Sequence, residues 1–541
     1  MHRLLLLITV LLFSEAYSQD QNIKYSKFRY AEIENGYNQI GNNSHTASKP
    51  FIQREVNQYY SLNDYDSTLS YKYKNWWGRK LFDENFVKVE KEDFWFSVDP
   101  VMNLQIGKDL NSDHDYTYVN TRGFYIQGEL GSKFSFQSAF YESQARFPDY
   151  VTNWISEHEK NTGGGIDGIV PGQGLAQNFK TGGYDYPMAE ANISFTPSKF
   201  FNLQFGTGKN FIGDGYRSMF LSDAGFNYPY FKINTSFWNI KYTNYWMFMQ
   251  DIRPETAIND VHQQKFVTVH HLSWNITDRI NVGFFEAIVW ADSTGNRGFD
   301  INYLNPVIFY RPIEFSLGSA GGNALLGFST KIKLTNSIQL YGQAVLDEFT
   351  LAEVKDSEGY WANKFAFQTG INYYNAFGIK NLQIKSEVNW ARPYTFSHRI
   401  PLQNYGHFNQ PIGHPWGANF WESVSIIRYR YKRLFADVKL IYGKKGYDTP
   451  DSNWGGDIYN PYGDKEQYYG NEIAQGNTGT LFFANLKSGY IVNPATNLKL
   501  FIDFTYRDFN VLNETEFLQN SKGSIISFGL RTDLFNTYYD F

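Results

Sequence analysis

From Asp93 onward the sequence alternates between apolar and polar residues with a period of two, the spacing that sends successive side chains to opposite faces of a β-strand. In the first run Phe94, Phe96, Val98, Met102, Leu104 and Ile106 share one parity, while Ser97, Asp99, Asn103, Gln105 and Gly107 share the other. The pattern returns at Leu382, Ile384, Val388 and Trp390 against Gln383, Lys385, Glu387 and Asn389. It returns again at Leu498, Leu500, Ile502, Phe504 and Tyr506 against Lys499, Asp503, Thr505 and Arg507, and at Ile526, Phe528, Leu530, Thr532 and Leu534 against Ser527, Gly529, Arg531 and Asp533. A soluble sandwich also alternates, but here the alternation continues to the end of the chain without a domain break. A sheet that repeats so long closes on itself, because an open one would leave an unpaired edge.

Composition agrees with hydrocarbon outside such a sheet and water inside. Aromatic residues make up 19% of the chain, yet mean hydropathy is −0.46. No segment after the first residues holds the run of roughly 18 apolar residues that a spanning helix needs. The profile is that of an outer-membrane β-barrel, with a large secreted β-rich enzyme as the competing reading. Met1-His2-Arg3, the short apolar stretch Leu4 to Phe13 and Ala16-Tyr17-Ser18 read as a secretory signal over residues 1–18, with the mature chain starting at Gln19. The chain has no cysteine, which excludes a lipid anchor at the cut, disulfides, thiolate metal sites and cysteine nucleophiles. A formal net charge of −5 gives no basic footprint for nucleic acid.

Short turns near Gly131-Ser132, Pro197-Ser198, Trp238-Asn239, Thr277-Asp278, Thr335-Asn336, Ala376-Phe377, Tyr431-Lys432 and Asn493-Pro494 alternate with long polar stretches at 143–184, 209–228, 291–322, 391–418 and 444–479. Outer-membrane barrels keep periplasmic turns short and outer loops long. Two strands per long loop predict about 18 strands, an all-β transmembrane antiparallel barrel over residues 93–541. Trp95, Trp246, Trp274, Trp290 and Trp390 suit the headgroup zone at strand ends. Residues 19–92 form a periplasmic arm or plug, with a short helix between Tyr73 and Val87; the segment covers or enters the barrel mouth, or is a partly ordered linker. Such a chain sits in outer-membrane lipid and is a client of the barrel-insertion machinery.

Strings that invite enzyme or metal chemistry fail on spacing. Gly206-Thr207-Gly208-Lys209 lacks the upstream glycine of a phosphate-binding loop. The series Asp109, Asn111, Asp113 and Asp115 has His114 and Asn120 where a calcium loop needs glycine and glutamate. His270 and His271 are adjacent in a strand and point to opposite faces. Asp437 and Glu387 each have a basic neighbour two positions away, at Lys439 and Lys385, and Asp503 has Lys499 and Arg507 four positions away on the same face, as in a charge-paired, occluded lumen. No catalytic residue, cofactor or metal is expected. The 444–479 loop combines Trp454, Tyr459, Tyr462, Tyr468 and Tyr469 with Asp, Asn and Gly, a mixture that can stack on sugar rings and bond their hydroxyls, or that can pack on itself over the barrel mouth. Trp454, Tyr459 and Tyr462 are therefore candidate ligand-binding residues.

The segment Gly213-Asp214-Gly215-Tyr216-Arg217-Ser218-Met219-Phe220-Leu221-Ser222-Asp223 resembles the signature of Wzi-type capsule-assembly barrels and of their RemB-type relatives in gliding bacteria. Two further strings agree in order: Asn305-Pro306-Val307 with Arg311-Pro312, Asn323 and Leu325-Leu326-Gly327, then Pro411-Ile412-Gly413-His414-Pro415-Trp416-Gly417. The resemblance implies an 18-stranded barrel with a non-enzymatic role at the cell surface. In the Wzi branch that role is binding surface polysaccharide; in the RemB branch it is gliding motility, with gliding-machinery proteins as partners. The aromatic ending Leu534 to Phe541 and the long arm favour the second. Arg217, Asp223, Asn305 and Arg311 join the candidate ligand residues; Arg217 and Asp223 pair with each other to fix the loop, or face a ligand. Phe541 resembles the aromatic end that insertion machinery reads. A diffusion pore and an outer-membrane hydrolase are the competitors from other classes.

Overall fold

The computed structural model describes residues 21–541, apart from 159–166, 260, 292–297, 308–321, 357 and the side chains of 63–66. The signal segment 1–18 and Arg311 lie outside the described residues. Eighteen antiparallel strands close into a barrel. In chain order they are β1 Phe94–Asp109, β2 Thr117–Leu130, β3 Phe134–Arg146, β4 Gly183–Ser198, β5 Phe201–Gly208, β6 Tyr228–Phe237, β7 Ile240–Asp251, β8 Gln263–Asn275 and β9 Ile280–Ala291. The second half comprises β10 Asn323–Lys333, β11 Ile338–Glu348, β12 Lys364–Tyr374, β13 Leu382–Ala391, β14 Phe420–Tyr431, β15 Leu434–Tyr447, β16 Asn477–Asn493, β17 Leu498–Val511 and β18 Ser521–Thr532.

The parity read from the sequence is the parity of the wall. Leu104, Ile106, Leu500, Ile502, Phe504, Ile526 and Phe528 stand exposed on its outside, while Ser97, Asp99, Asn103, Thr505, Arg507 and Ser527 are buried inside. An apolar outer surface wrapping a polar interior is stable only where hydrocarbon replaces water outside. The fold is that of outer-membrane barrels.

The seam departs from expectation. β18 pairs with the upper half of β1, from Ile525 opposite Asp109 to Arg531 opposite Asn103. The lower half of β1 is taken by Val87–Glu90, which pairs with Trp95 to Val98. In the register of β18 those positions would face residues 536–539, so the lower seam is closed by the arm and not by the end of the chain. Residues 533–541 instead turn inward, and Phe541 is not a lipid-facing strand end.

Most of the arm also lies inside. Helix α1, Lys27–Tyr37, sets Phe28 edge-on against Phe435 of β15, with ring centroids 5.1 Å apart. The strand pair Ser48–Lys49 with Phe211–Ile212 ties the arm to the loop after β5, and Lys49 binds Glu34 at 2.9 Å. The helix expected between Tyr73 and Val87 is Trp76–Phe82 only. Asn75 starts it by accepting the Gly78 N–H at 2.7 Å, and Arg433 of the β14–β15 turn holds the Asp83 that follows it at 2.6 Å.

Two of the five tryptophans expected at the headgroups are instead covered. Residues 299–304 of the β9–β10 connection fold over the outer wall. Tyr303 stacks against Trp290 at 4.3 Å, and its carbonyl accepts the Trp246 indole N–H at 2.8 Å.

The charged groups read as neighbours along one strand find their partners on adjacent strands, on the tail or on the inward loop. Asp503 binds Lys487 at 2.9 Å, Lys499 binds Asp533 at 2.6 Å, Asp437 binds Arg428 at 2.9 Å, and Lys385 donates to the Asp214 carbonyl at 2.9 Å. Residues i and i+2 of one strand stand about 6.7 Å apart, while adjacent strands lie about 4.8 Å apart. The shorter gap decides the partners.

Candidate functional site

The Gly213 to Asp223 string forms an inward-folded loop at the centre of the lumen. Glu387 of β13 fixes its backbone by accepting the N–H groups of Tyr216 at 2.7 Å and Arg217 at 2.9 Å, and it also accepts the Tyr341 hydroxyl at 2.8 Å. Gln343 accepts the Met219 N–H at 2.8 Å. Gly215 sits so close that an added Cβ would lie 2.7 Å from Glu387 Oε2 and 2.8 Å from the Arg217 carbonyl. Gly215→Ala is therefore expected to lower stability by about 1–3 kcal/mol, the usual cost of overpacking, while leaving an assembled barrel. The loss of the compact, heat-modifiable gel band at a lower temperature measures it.

Arg217 is buried and bridges two carboxylates. Its Nε lies 3.0 Å from Glu422 of β14, and its Nη1 lies 3.0 Å from Asp540 of the tail. Lys439 of β15 binds the other Asp540 oxygen at 2.5 Å. Burial alone would raise the Asp540 carboxyl, but Arg217 and Lys439 outweigh it and hold it well below the usual carboxylate range. His414 approaches Glu422 at 2.6 Å. Its Nδ1 accepts the Trp416 N–H at 3.1 Å, so Nε2 carries the proton that Glu422 accepts. Burial keeps that imidazole below its ordinary pKa despite Glu422.

Asp223 does not pair with Arg217. It accepts the Tyr538 hydroxyl at 2.6 Å and the Asn536 amide at 2.7 Å. Both residues thus grip the tail, and Arg217 also lines a small cavity shared with Trp416, Tyr538 and Asp540. The third string meets the first here: Ser222 donates to the Gly413 carbonyl at 2.6 Å, and Tyr405 to the Phe220 carbonyl at 2.6 Å. Phe220, Met219, Tyr405 and Ile412 join the largest apolar cluster of the molecule, which fills the lumen above the arm.

At the outer rim the aromatic loops behave differently from one another. Tyr459 is buried in that same cluster, and its hydroxyl donates to the Gln410 carbonyl at 3.1 Å. Trp454 is half-buried and leans on Gly476, where a Cβ would lie 2.5 Å from the ring. Of the three aromatics selected from the sequence, Tyr462, half-buried like Trp454, is the one that packs beside the exposed rings of the rim. Its ring centroid lies 4.9 Å from that of Trp361. Beside them Tyr360 packs on Tyr469 at 5.4 Å, and Lys465 spans Trp361 and Tyr468 at 4.4 and 4.2 Å from the ring centroids. The Trp361 N–H donates to the Tyr468 carbonyl at 2.9 Å, which joins the 349–363 loop to the 448–476 loop. Tyr468 is 61% and Tyr469 46% exposed. Together these residues form a platform of ring faces and edges with a cation at its centre. Tyr360 and Trp361 were not singled out in the sequence; Tyr360-Trp361 in a short polar loop was the available signal.

The fold is shared with a capsule-assembly barrel. The solved structure of Wzi, an outer membrane protein involved in group 1 capsule assembly in Escherichia coli and a carbohydrate-binding β-barrel, matches with a TM-score of 0.55 over 96% of this chain and 99% of its own, at 12% identity. OprD of Pseudomonas aeruginosa matches at a TM-score of 0.41 and 11% identity, over 84% of this chain and 96% of its own. OccAB2 of Acinetobacter baumannii matches at 0.40 and 9%, over 80% and 97%. No family model matches the sequence, and no curated protein matches it.

Asn305, the remaining candidate among the described residues, lies away from both regions. It belongs to the connection that folds over the outer wall, where its side chain accepts the Val307 N–H at 3.0 Å and the adjacent Pro306 carbonyl accepts the Asn244 amide at 3.0 Å. The second string is divided: Asn305 to Val307 strap the wall, while Leu325 joins the lumen cluster and Gly327 lies against Phe220, beside the first and third strings.

Proposed function

We propose that this chain is a non-enzymatic outer-membrane barrel that holds surface polysaccharide at the cell exterior. The observation that carries the reading is the rim platform in which exposed Tyr468 and Tyr469 adjoin half-buried Trp361 and Tyr462, above a lumen largely filled by the chain's own arm, loops and tail. Ring faces stack on sugars, and the neighbouring amides, hydroxyls and Lys465 bond their substituents. The carbohydrate-binding fold neighbour supports the same reading. The motility role rests on the resemblance to RemB-type proteins alone, and no comparison adds to it. A constitutively open diffusion pore fits poorly with a lumen occupied over most of its width by the arm, the inward loops and the tail.

The test replaces Trp361, Tyr468 and Tyr469 together by alanine. Polysaccharide retained on cells is expected to fall below about a tenth of the wild-type level, which corresponds to roughly 1.4 kcal/mol of lost binding, with the barrel still heat-modifiable in the outer membrane. Wild-type retention by this variant would refute the platform. Deleting the gene and scoring capsule staining beside spreading on agar separates the two surface roles: loss of staining alone supports polysaccharide holding, and loss of spreading alone supports motility.

A further inference from the structure

One side of the lumen is not filled. Two cavities lie along the inner wall formed by β1, β2, β17 and β18, one above the other. The lower is a cavity of about 190 Å³ lined by Asp99, Gln127, the periplasmic turn 494–497 and residues of the arm. The upper is a cavity of about 150 Å³ lined by Asn103, Gln105, Thr121, Ser143 and Lys487, reaching Thr117 and Pro148 at the outer ends of the strands. Amides, hydroxyls and charges make up about half of the surface of each, and apolar or aromatic groups the rest.

What separates them is thin and apolar. Among the lumen-facing residues of β1, Val101 alone stands between Asp99 below and Asn103 above. Val101 belongs to a cluster with Tyr125, Ala139, Tyr141 and Met188, and the tail residues Leu534 and Phe535 pack into it. Phe535 lies flat on Tyr141, with centroids 4.8 Å apart and planes 7° from parallel. Leu534 lines the lower cavity and Phe535 the upper. Arg531 holds the tail in this place by donating to the Phe535 carbonyl at 2.7 Å.

We propose that the two cavities are halves of one conduit for small hydrophilic solutes, and that Leu534 and Phe535 are its stopper. The tail is suited to this task because it is the only strand-free segment that enters the barrel after the last strand, among the described residues. Its removal breaks no strand-to-strand backbone hydrogen bond, only side-chain bonds such as those from Arg531, Lys439 and Arg507. The upper cavity is lined by Lys439, Lys487 and Arg531 against Asp503, so the opened path carries anions in preference to cations. This activity is separate from saccharide holding at the rim, which uses other residues.

The experiment is planar-bilayer recording of the full chain with Leu534→Gly and Phe535→Gly combined, and of a second protein lacking residues 534–541, each first shown to be heat-modifiable. Potassium chloride is the probe. The wild type is expected to be silent, both variants to give discrete conductance steps, and a salt gradient to give a reversal potential of anion sign. A correctly folded variant of either kind that stays silent overturns the proposal, as does a wild type that conducts equally. If the glycine variant fails to fold, the truncated protein decides; if that also fails, Tyr141→Ala with Phe535→Ala replaces the stacked pair and leaves the Asp540 latch intact, and its silence or current decides in the same way. Current without anion preference removes the assigned lining while leaving the stopper.

Discussion

Arg217→Met is expected to be among the most destabilising single changes available in this chain, costing about 3–5 kcal/mol, the range found when one partner of a buried ion pair is removed. The reason lies in what is left behind. Glu422 and Asp540 are buried to the same degree as Arg217, and without the guanidinium Glu422 keeps only neutral donors while Asp540 keeps Lys439. Arg217→Lys is expected to restore less than half of the loss, because an ammonium cannot span two carboxylates that the planar fork reaches from separate edges. Combining Arg217→Met with Glu422→Gln and Asp540→Asn should recover much of the stability by removing the stranded charges. Urea unfolding of barrel refolded in detergent measures all three. The same cluster sets an acid limit. The Asp540 carboxyl is held low in the folded state, so its contribution is fully present above the ordinary aspartate value of about 4 and is lost only as pH falls through the lower folded value. The tail should therefore stay latched through the range in which ordinary carboxylates protonate. Release of the tail at pH 5, read by protease access to residues 533–541, would contradict the assignment.

The wall was legible in the sequence because its cause is local. Leu500, Ile502 and Phe504 meet hydrocarbon, and Asp503 and Thr505 meet the lumen, whatever the strand's neighbours are; the period-2 pattern records that directly. The strand number followed from loop length, another local property. What failed was long-range. Asp503 has Lys499 four positions away in sequence, but its partner is Lys487, brought opposite by the β16–β17 register. Arg217 and Asp223 lie six residues apart in one loop, yet each binds the tail more than 300 residues later. The terminal Phe541 resembled the aromatic end of a barrel, but the last strand stops at Thr532 and the tail turns inward to Arg217 and Asp223. At the rim, the 448–476 loop was correctly seen as aromatic, but the division of labour within it depends on which rings the lumen core takes. Tyr459 is drawn into that core, and Tyr468 is left outside.

Ile502→Arg should separate a membrane wall from a water-facing one by the sign of a single result. Ile502 is 53% exposed, and its cross-strand neighbour Phe528 is 62% exposed; Phe528 in turn stands opposite Ile106, which is 45% exposed. On a protein surrounded by water, charging such a position would change stability by no more than about 0.5 kcal/mol, and would relieve an apolar patch. In hydrocarbon the same arginine costs about 2–4 kcal/mol near the bilayer midplane and about 0–1 kcal/mol near the interface. Ile502 lies within the apolar part of β17, whereas Asn510, exposed at its outer end beside Asp508, marks where the wall leaves the hydrocarbon. Urea titration of the barrel folded into lipid vesicles should therefore show a large loss for Ile502→Arg and almost none for Asn510→Arg. A small effect at both positions would mean that water, not lipid, faces the parity on which the whole architecture depends.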